Sequence, residues 1–457
     1  MQDILSLILF TNFIIAGYFS PKISGWIILV IVPSLGPTAL TIAGSSVLPL
    51  TIYRVGYAVT YGIVLRAFNK KYPIFSVFKF SFVKLLMCFT LFIFLISVTD
   101  RFENMVFTFI PNHLFAIMLP FIMIKDQESL FKLLNIYIWF SAIMGLIIML
   151  EVFLQISLGG IIAENFNPGV REGIQETSIK SDISRNPLRG GVLYRGFGLW
   201  GGEKTAYVMS FLFPLTLWYI TCNNLSKINP IKFVPALLTV VGLVLMQTRI
   251  TYIAVSIAFL FITLLYIRFS SKKLRKQYFS LIFKIVVGVV LIFMLLPPIV
   301  FDYVFNFFKY LFYESFLYGE LSIETKINRI PIAISMFMES PLWGYLVSRY
   351  YAYGTLMKFE DLPGPIIYML SGGLILLLFY LSLLFKMPFD LYRLLRSNKF
   401  NYEIKGLFIF IIAAFMSGII VNFSNYSESH FIMMFILYIS VFKVYKYNMW
   451  PSISQPS

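Results

Sequence analysis

Runs of about twenty apolar residues follow one another along most of the chain, separated by short basic or turn-forming breaks. That is the length an α-helix needs to cross the hydrocarbon core of a bilayer, where only helices and closed barrels satisfy every backbone N–H and C=O. The runs lie near 3–19, 24–42, 45–66, 80–98, 105–124 and 131–157, and then near 204–221, 231–247, 250–268, 281–299, 363–386, 405–423 and 428–445. Two polar stretches, 159–203 and 301–362, interrupt them. The expected fold is all-α: a polytopic transmembrane helical protein of about 12–13 spans with two long loops on one face that contain short amphipathic helices. The expected units are 1–158, 159–203, 204–300, 301–362 and 363–457.

Composition agrees with this. Hydrophobic residues make up 59% and charged residues only 13%, where a soluble domain carries about a quarter charged residues. The net charge of +16 brings nucleic acid to mind, yet most Lys and Arg sit in short loops between apolar runs. There they set topology and meet anionic lipid headgroups, so membrane lipid is an expected partner and nucleic acid is not. Cys88 and Cys222 support neither a disulfide framework nor a thiolate metal site. The first run has an acidic start and no small-residue cleavage site, and reads as a retained helix.

The basic loops Arg66 to Lys79, Lys125 to Lys132, Lys227 to Lys232, Arg268 to Lys276 and Lys386 to Lys405 are expected on the cytoplasmic side. The alternation then puts both polar stretches, the turn at Thr248 to Thr251 and the turn at Asn422 to Ser429 on the outer side. Counting back gives an outer N-terminus and thirteen spans; a broken or re-entrant helix across Pro33 to Pro49 gives twelve.

On that outer face, arginines stand among glycines. The first polar stretch holds Arg171, Arg185, Arg189 and Arg195 with Gly190, Gly191, Gly196, Gly198, Gly201 and Gly202. Guanidinium forks bind phosphate oxygens bidentately and glycines let backbone N–H groups approach the same anion, which suits a pyrophosphate; a solvated Gly-rich loop is the competing reading. Arg249 joins two apolar runs with almost no loop between them. Either it snorkels to the surface or it serves an outer-face anion, since charges that set topology lie inside. Arg329 opens an amphipathic stretch, Ile330 to Met338, that reads as a helix along the outer interface; pairing with Glu324 is the alternative.

Candidates for proton transfer are Glu203, Glu314, Glu320, Glu324, Glu339, Glu360, Asp361, Glu428, His113 and His430. Glu360 and Asp361 stand just before Pro363-Gly364-Pro365, where partial desolvation raises a carboxyl pKa toward that of a general base. His430 lies at the outer mouth of a helix and is either a participant or a hydrogen-bonded packing residue. Two histidines on different runs make no zinc site, nucleotide-binding signatures are absent, and no cofactor is expected.

Three segments resemble the bacterial O-antigen polymerase (Wzy-type) and ligase superfamily of membrane glycosyltransferases. Arg195-Gly-Phe-Gly198 followed by Gly202-Glu-Lys-Thr-Ala206 is similar to the family's Arg-x-x-Gly element leading into a helix. Gln247-Thr-Arg249 is similar to its mid-chain Ser/Thr-Arg, and Arg329 with Ser340-Pro-Leu-Trp-Gly344 to its Arg then Pro-x-x-Gly segment. Asp361 through Gly373 occupies the place of its polar residue before a Leu-rich helix, and Arg185 with Gly196 matches the Arg-x10-Gly pattern of its polymerases. Ligase members usually carry a His in the second long loop; 301–362 contains none, which favours a polymerase.

The resemblance implies a GT-C-like membrane enzyme in the bacterial inner membrane, with its active site facing the periplasm. It implies an undecaprenyl-pyrophosphate-linked oligosaccharide as substrate, no metal, and a polysaccharide chain-length regulator as a further partner. Arg249 and Arg329, helped by Arg195, are expected to stabilise the leaving pyrophosphate. Asp361 is expected to assist the acceptor hydroxyl, with Arg185, Arg189, Gly196, Glu360 and His430 binding substrate. A ligase that moves the finished polysaccharide, and a lipid-linked oligosaccharide flippase using Arg54 and Lys84, are the competing readings.

Overall fold

The computed structural model describes residues 2–35, 41–43, 50–97, 110–154, 202–221, 230–246, 248–270, 321–346, 363–424 and 428–447, with isolated residues between 272 and 309. Within these the protein is a helical bundle: α1 Gln2–Phe19, α2 Pro21–Leu35, α3 Ile52–Asn69, α4 Ser81–Ser97, α5 Ile110–Met123, α6 Gln127–Leu154, α7 Gly202–Thr221, α8 Phe233–Leu245, α9 Arg249–Phe269, α10 Leu321–Glu339, α11 Gly364–Arg396, α12 Tyr402–Ser424 and α13 Glu428–Phe442.

Helix starts follow local chemistry. The Ser129 N–H donates to Asp126 Oδ1 at 2.8 Å, and Ser129 Oγ accepts from the N–H groups of Lys125 and Asp126. This reciprocal capping begins α6 and satisfies donors that the first turn otherwise leaves open. Asn401 Oδ1 accepts from Ile404 N–H at 2.9 Å and starts α12 the same way.

Packing relies on small residues, as expected where lipid removes the hydrophobic drive for helices to associate. A methyl added to Gly145 would lie 2.0 Å from the Leu238 carbonyl oxygen, and one added to Gly242 would lie 2.7 Å from Gly145 Cα. So α6 and α8 touch backbone to backbone, with the Ser141 and Thr239 hydroxyls bonded beside them at 2.9 Å. Gly17 and Gly62 do the same between α1 and α3. The most enclosed elements are α13, buried at every position from His430 to Phe442, and α12, buried almost throughout from Leu407 to Asn422.

The contacts fix helix direction. At one end the finish of α3, α5 and α13 meet, where the Lys443 ammonium donates to Tyr72 Oη at 3.0 Å and to the Phe121 carbonyl. Phe400 and Phe408 pack on Tyr445, Trp218 near the finish of α7 packs on Phe131 near the start of α6, and Phe269 at the end of α9 meets Tyr392. This end carries Lys125, Lys132, Lys232, Arg268, Arg393, Arg396 and Lys443. At the other end lie the starts of α5, α7, α9, α11 and α13 and the finishes of α6, α8 and α12. The helices thus run alternately, with the basic loops gathered on one side.

The described residues carry the expected spans in part. Among the described residues, four helices (Gln127–Val152, Arg249–Phe269, Gly364–Arg396 and Tyr402–Ser424) are long and apolar enough to cross a membrane. The count becomes five if the α1 and α2 pair, bent by 116°, is one span, so the structure supports a multi-pass chain but not the finer figure of 12–13. Among the residues described with their side chains, Ser81–Ile96, Asn112–Met123, Thr205–Thr221 and Phe233–Leu245 are shorter apolar helices, and α7 as a whole spans the 20 residues Gly202–Thr221. Across the runs 24–42 and 45–66 the described residues follow the broken alternative: α2 ends at Leu35, and Thr41–Ala43 pairs antiparallel with Leu50–Thr51 before α3. The prolines at 33, 37 and 49 lack the N–H that a continuing helix needs, and the regular elements among the described residues are otherwise helical. The expected run 281–299 lies outside the described residues.

Candidate functional site

The end of the bundle opposite the basic loops gathers the polar groups. Arg249 is the first residue of α9, held by a tight turn from α8. Thr248 Oγ1 donates to the Met246 carbonyl at 3.2 Å, Thr251 Oγ1 to the Thr248 carbonyl at 2.6 Å, and Tyr252 Oη to the Val244 carbonyl at 2.9 Å. Thr248 and Thr251 are buried while Arg249 is half-buried. A cation at a helix N-terminus opposes the macrodipole by about 0.3–1 kcal/mol. Thr251 N–H already donates to the Thr248 carbonyl at 3.1 Å, and a guanidinium set beside a helix N-terminus is an arrangement that favours an anion. Ile250 packs against a cluster of Tyr207, Ala254 and Val421, which sets the turn beside the start of α7 and the last turns of α12.

Across α12 lies a buried polar pair. Asn422 Nδ2 donates to the Gly418 carbonyl at 2.9 Å and reaches His430 Nδ1 at 3.0 Å. With Nδ1 accepting, the ring proton is on Nε2, which has no hydrogen-bond partner among the described residues and rests against Gly418. The ring also meets Phe211 edge to face at 5.2 Å. His430 is fully buried, so in this conformation it packs α13 against α12 and α7, beyond reach of a sugar. His113 is likewise buried, its Nδ1 2.9 Å from Thr90 Oγ1. Beside the pair, a methyl on Gly364 would lie 2.5 Å from the Asn422 carbonyl oxygen and 2.8 Å from Tyr380 Oη, so α11 starts in direct backbone contact with the end of α12.

A further backbone joint is a clamp on α11. At Gly372 and Gly373 the backbone leaves helical geometry (φ −137°, ψ 22° and φ 64°, ψ −159°). The break is covered by the turn that ends α10: Leu374 N–H donates to the Pro341 carbonyl at 2.8 Å, and Tyr345 N–H donates to the Leu370 carbonyl at 2.9 Å. Gly344 takes φ +61°, and a methyl there would lie 2.5 Å from Gly373 N. Tyr345 Oη donates to Glu339 Oε2 at 2.6 Å, holding the turn to α10. The exchange supplies partners for groups that a broken membrane helix must not leave open. Ser340 to Gly344 and Ser371 to Gly373, two segments singled out in the sequence, are brought together.

Arg329 lies within α10, ten residues before Glu339; its side chain lies outside the described residues. Ile332, Ile334 and Met338 are exposed while Ala333 is buried, as for a helix with an apolar face toward lipid. Asp361, Glu360, Arg185, Arg189, Arg195 and Gly196 lie outside the described residues. Glu151 was missed in the sequence: it is fully buried in the last turn of α6 at this same end. An acid inside the 131–157 run was the available signal. Among the described residues, no group of three or more His, Cys, Asp and Glu side chains is placed to hold a metal ion.

No protein-family model matches the chain, and no curated protein matches it.

Proposed function

We propose that the chain is a membrane glycosyltransferase that polymerises undecaprenyl-pyrophosphate-linked oligosaccharide repeat units into O-antigen or a related surface polysaccharide. It works on the periplasmic face of a bacterial inner membrane, without a metal. The observation that supports the reading is convergence. The Arg249 turn, the start of α11 that follows Asp361, the start of α7 that follows Arg195, and the clamp holding the Arg329 helix all lie at the end opposite the basic loops.

In the reaction, the acceptor hydroxyl oxygen bonds to the anomeric carbon of the donor sugar. The bond from that carbon to the pyrophosphate oxygen breaks, and the pyrophosphate leaves with the electron pair. Negative charge grows on the leaving group, and donors held in place for that charge are the largest catalytic contribution available. Arg249 with the N-terminus of α9 is one such donor set; Arg329 and Arg195 supply others, with Arg185, Arg189 and Gly196 along the first stretch. Asp361 takes the hydroxyl proton, with Glu360 beside it. His430 and Asn422 position α13 and the mouth of α11. A chain-length regulator in the membrane is the expected protein partner.

The test is a polysaccharide ladder on a silver-stained gel, in a strain deleted for this gene and complemented at matched expression. Wild type is expected to restore the ladder; Arg249→Ala and Arg329→Ala are expected to leave a single repeat on the acceptor, a loss of 100-fold or more, the order seen when one transition-state donor is removed. A deletion that removes every repeat points instead to a ligase or a flippase, and ladders restored by both variants defeat the arginine mechanism.

A further inference from the structure

We propose that the groove between α2 and α6, at the basic end of the bundle, binds one phospholipid whose headgroup carries a primary ammonium, of the phosphatidylethanolamine kind. The groove has a volume of about 630 Å³. Val30, Ile136, Trp139, Phe140 and Ile143 line its shaft, and Trp139 and Ile143 are exposed. Its mouth is charged: Glu128 and Lys132 both line it, and four residues apart on a helix they share a face. Among the described residues the ion pairs lie elsewhere, at Asp390 with Lys386 and Arg393. The Lys132 ammonium stands 4.9 Å over the Trp26 ring, the pairing of cation and indole found at headgroup level.

Length and charge together choose the occupant. From Glu128 to Ile143 the helix rises about 22 Å at 1.5 Å per residue, more than half of a hydrocarbon core of about 30 Å. One acyl chain therefore fits along the shaft while its headgroup sits at the mouth. There the lipid phosphate meets Lys132 and the lipid ammonium donates to the Glu128 carboxylate. A purely anionic headgroup would set like charge against Glu128, and a quaternary ammonium has no N–H to give. Lys125 and Asp126, the other charges at this turn, and Lys443, which stands near both, do not line the groove, so the mouth itself presents the dipole of Glu128 and Lys132. The site lies at the opposite end from the arginines and does not depend on the reaction proposed for them.

The experiment is native mass spectrometry of the full chain in mild detergent, mixed with equal amounts of phosphatidylethanolamine, phosphatidylglycerol and phosphatidylcholine. One retained phosphatidylethanolamine is expected, preferred by about fivefold, the discrimination one exposed ion pair supplies. Glu128→Lys is expected to turn the preference to phosphatidylglycerol, and Ile143→Trp, which fills the shaft, to abolish retention while the protein's melting temperature stays close to wild type. Lys386→Gln, in the separate groove between α9 and α11, is expected to change nothing. The proposal falls if wild type holds the three lipids equally, if the preference survives Glu128→Lys, if Lys386→Gln removes the lipid, or if the retained lipid is a polyprenyl diphosphate.

Discussion

Replacing Gly373 by Ala tests whether the turn after α10 is clamped to α11. The methyl would lie 2.3 Å from the Leu342 carbonyl oxygen and 2.5 Å from the Trp343 nitrogen, with φ at +64°. Both obstacles are backbone, so no side-chain rotation relieves them. At ψ −159° the residue occupies a region open essentially to glycine alone, which costs another residue about 1–3 kcal/mol. If the turn withdraws to make room, the bonds from Tyr345 N–H to Leu370 O and from Leu374 N–H to Pro341 O are lost, each worth about 0.5–1.5 kcal/mol net. Clamping is thus weakened by roughly 2–6 kcal/mol, a shift of about 30-fold or more in the docked population. Hydrogen exchange read by mass spectrometry measures this directly. Peptides covering 340–346 should be protected in wild type and exchange at least tenfold faster in Gly373→Ala, while peptides from Leu407 to Asn422 of α12 stay unchanged. Equal protection of 340–346 in both proteins would refute the clamp; uniform loss across α12 would show global unfolding instead, and Gly344→Ala, which strikes the same joint from the other side, then decides.

Two further outcomes follow from packing and capping. Gly145→Ala must push α8 away from α6, because its methyl meets the Leu238 backbone, and should lower thermal stability in detergent by about 1–3 kcal/mol; Gly406→Ala, whose methyl meets only Tyr266 Oη at 3.7 Å, should leave it unchanged, and equal effects would contradict the backbone contact. At the start of α6, the Ser129 N–H donating to Asp126 holds that carboxyl below the usual carboxylate range. A group depressed in the folded state contributes fully above its unfolded value, about 3.9, and loses that contribution as pH falls through the lowered value. Asp126→Ala should cost about 1 kcal/mol near neutral pH and show a smaller loss of stability than wild type between pH 5 and pH 2; identical acid profiles would argue against the cap.

The helical class and the gathering of basic loops at one end were legible because both follow from patterns that survive any detail of packing: apolar run length and the placement of Lys and Arg. Helix boundaries were less so. The run 24–42 is apolar enough on average, yet α2 ends at Leu35, two residues before Pro37, since a proline biases the residue before it away from helix and a hydropathy window weighs side chains alone. Gly372 and Gly373 read as part of a Leu-rich helix for the converse reason: nothing local says whether a glycine pair continues a helix or breaks it. That depends on whether another segment arrives to take up the freed N–H and C=O groups, and the segment that does so ends 26 residues earlier, at Leu346.

The same reasoning separates the two histidine expectations from the arginine ones. His430 was placed at a helix mouth by its sequence neighbours, but whether it faces the aqueous side or α12 depends on the rotation of α13, set by Gly418 and Asn422 on another helix. A helix in lipid has little amphipathic pattern to report that rotation, because its lipid face and its protein face are both apolar. Arg249 has no such ambiguity: at the first position of α9, a side chain of that length reaches the helix end whichever way the helix is turned. Charged residues at helix termini are therefore the part of a membrane site that sequence order locates best, and polar residues one or two turns further in are the part that only packing decides.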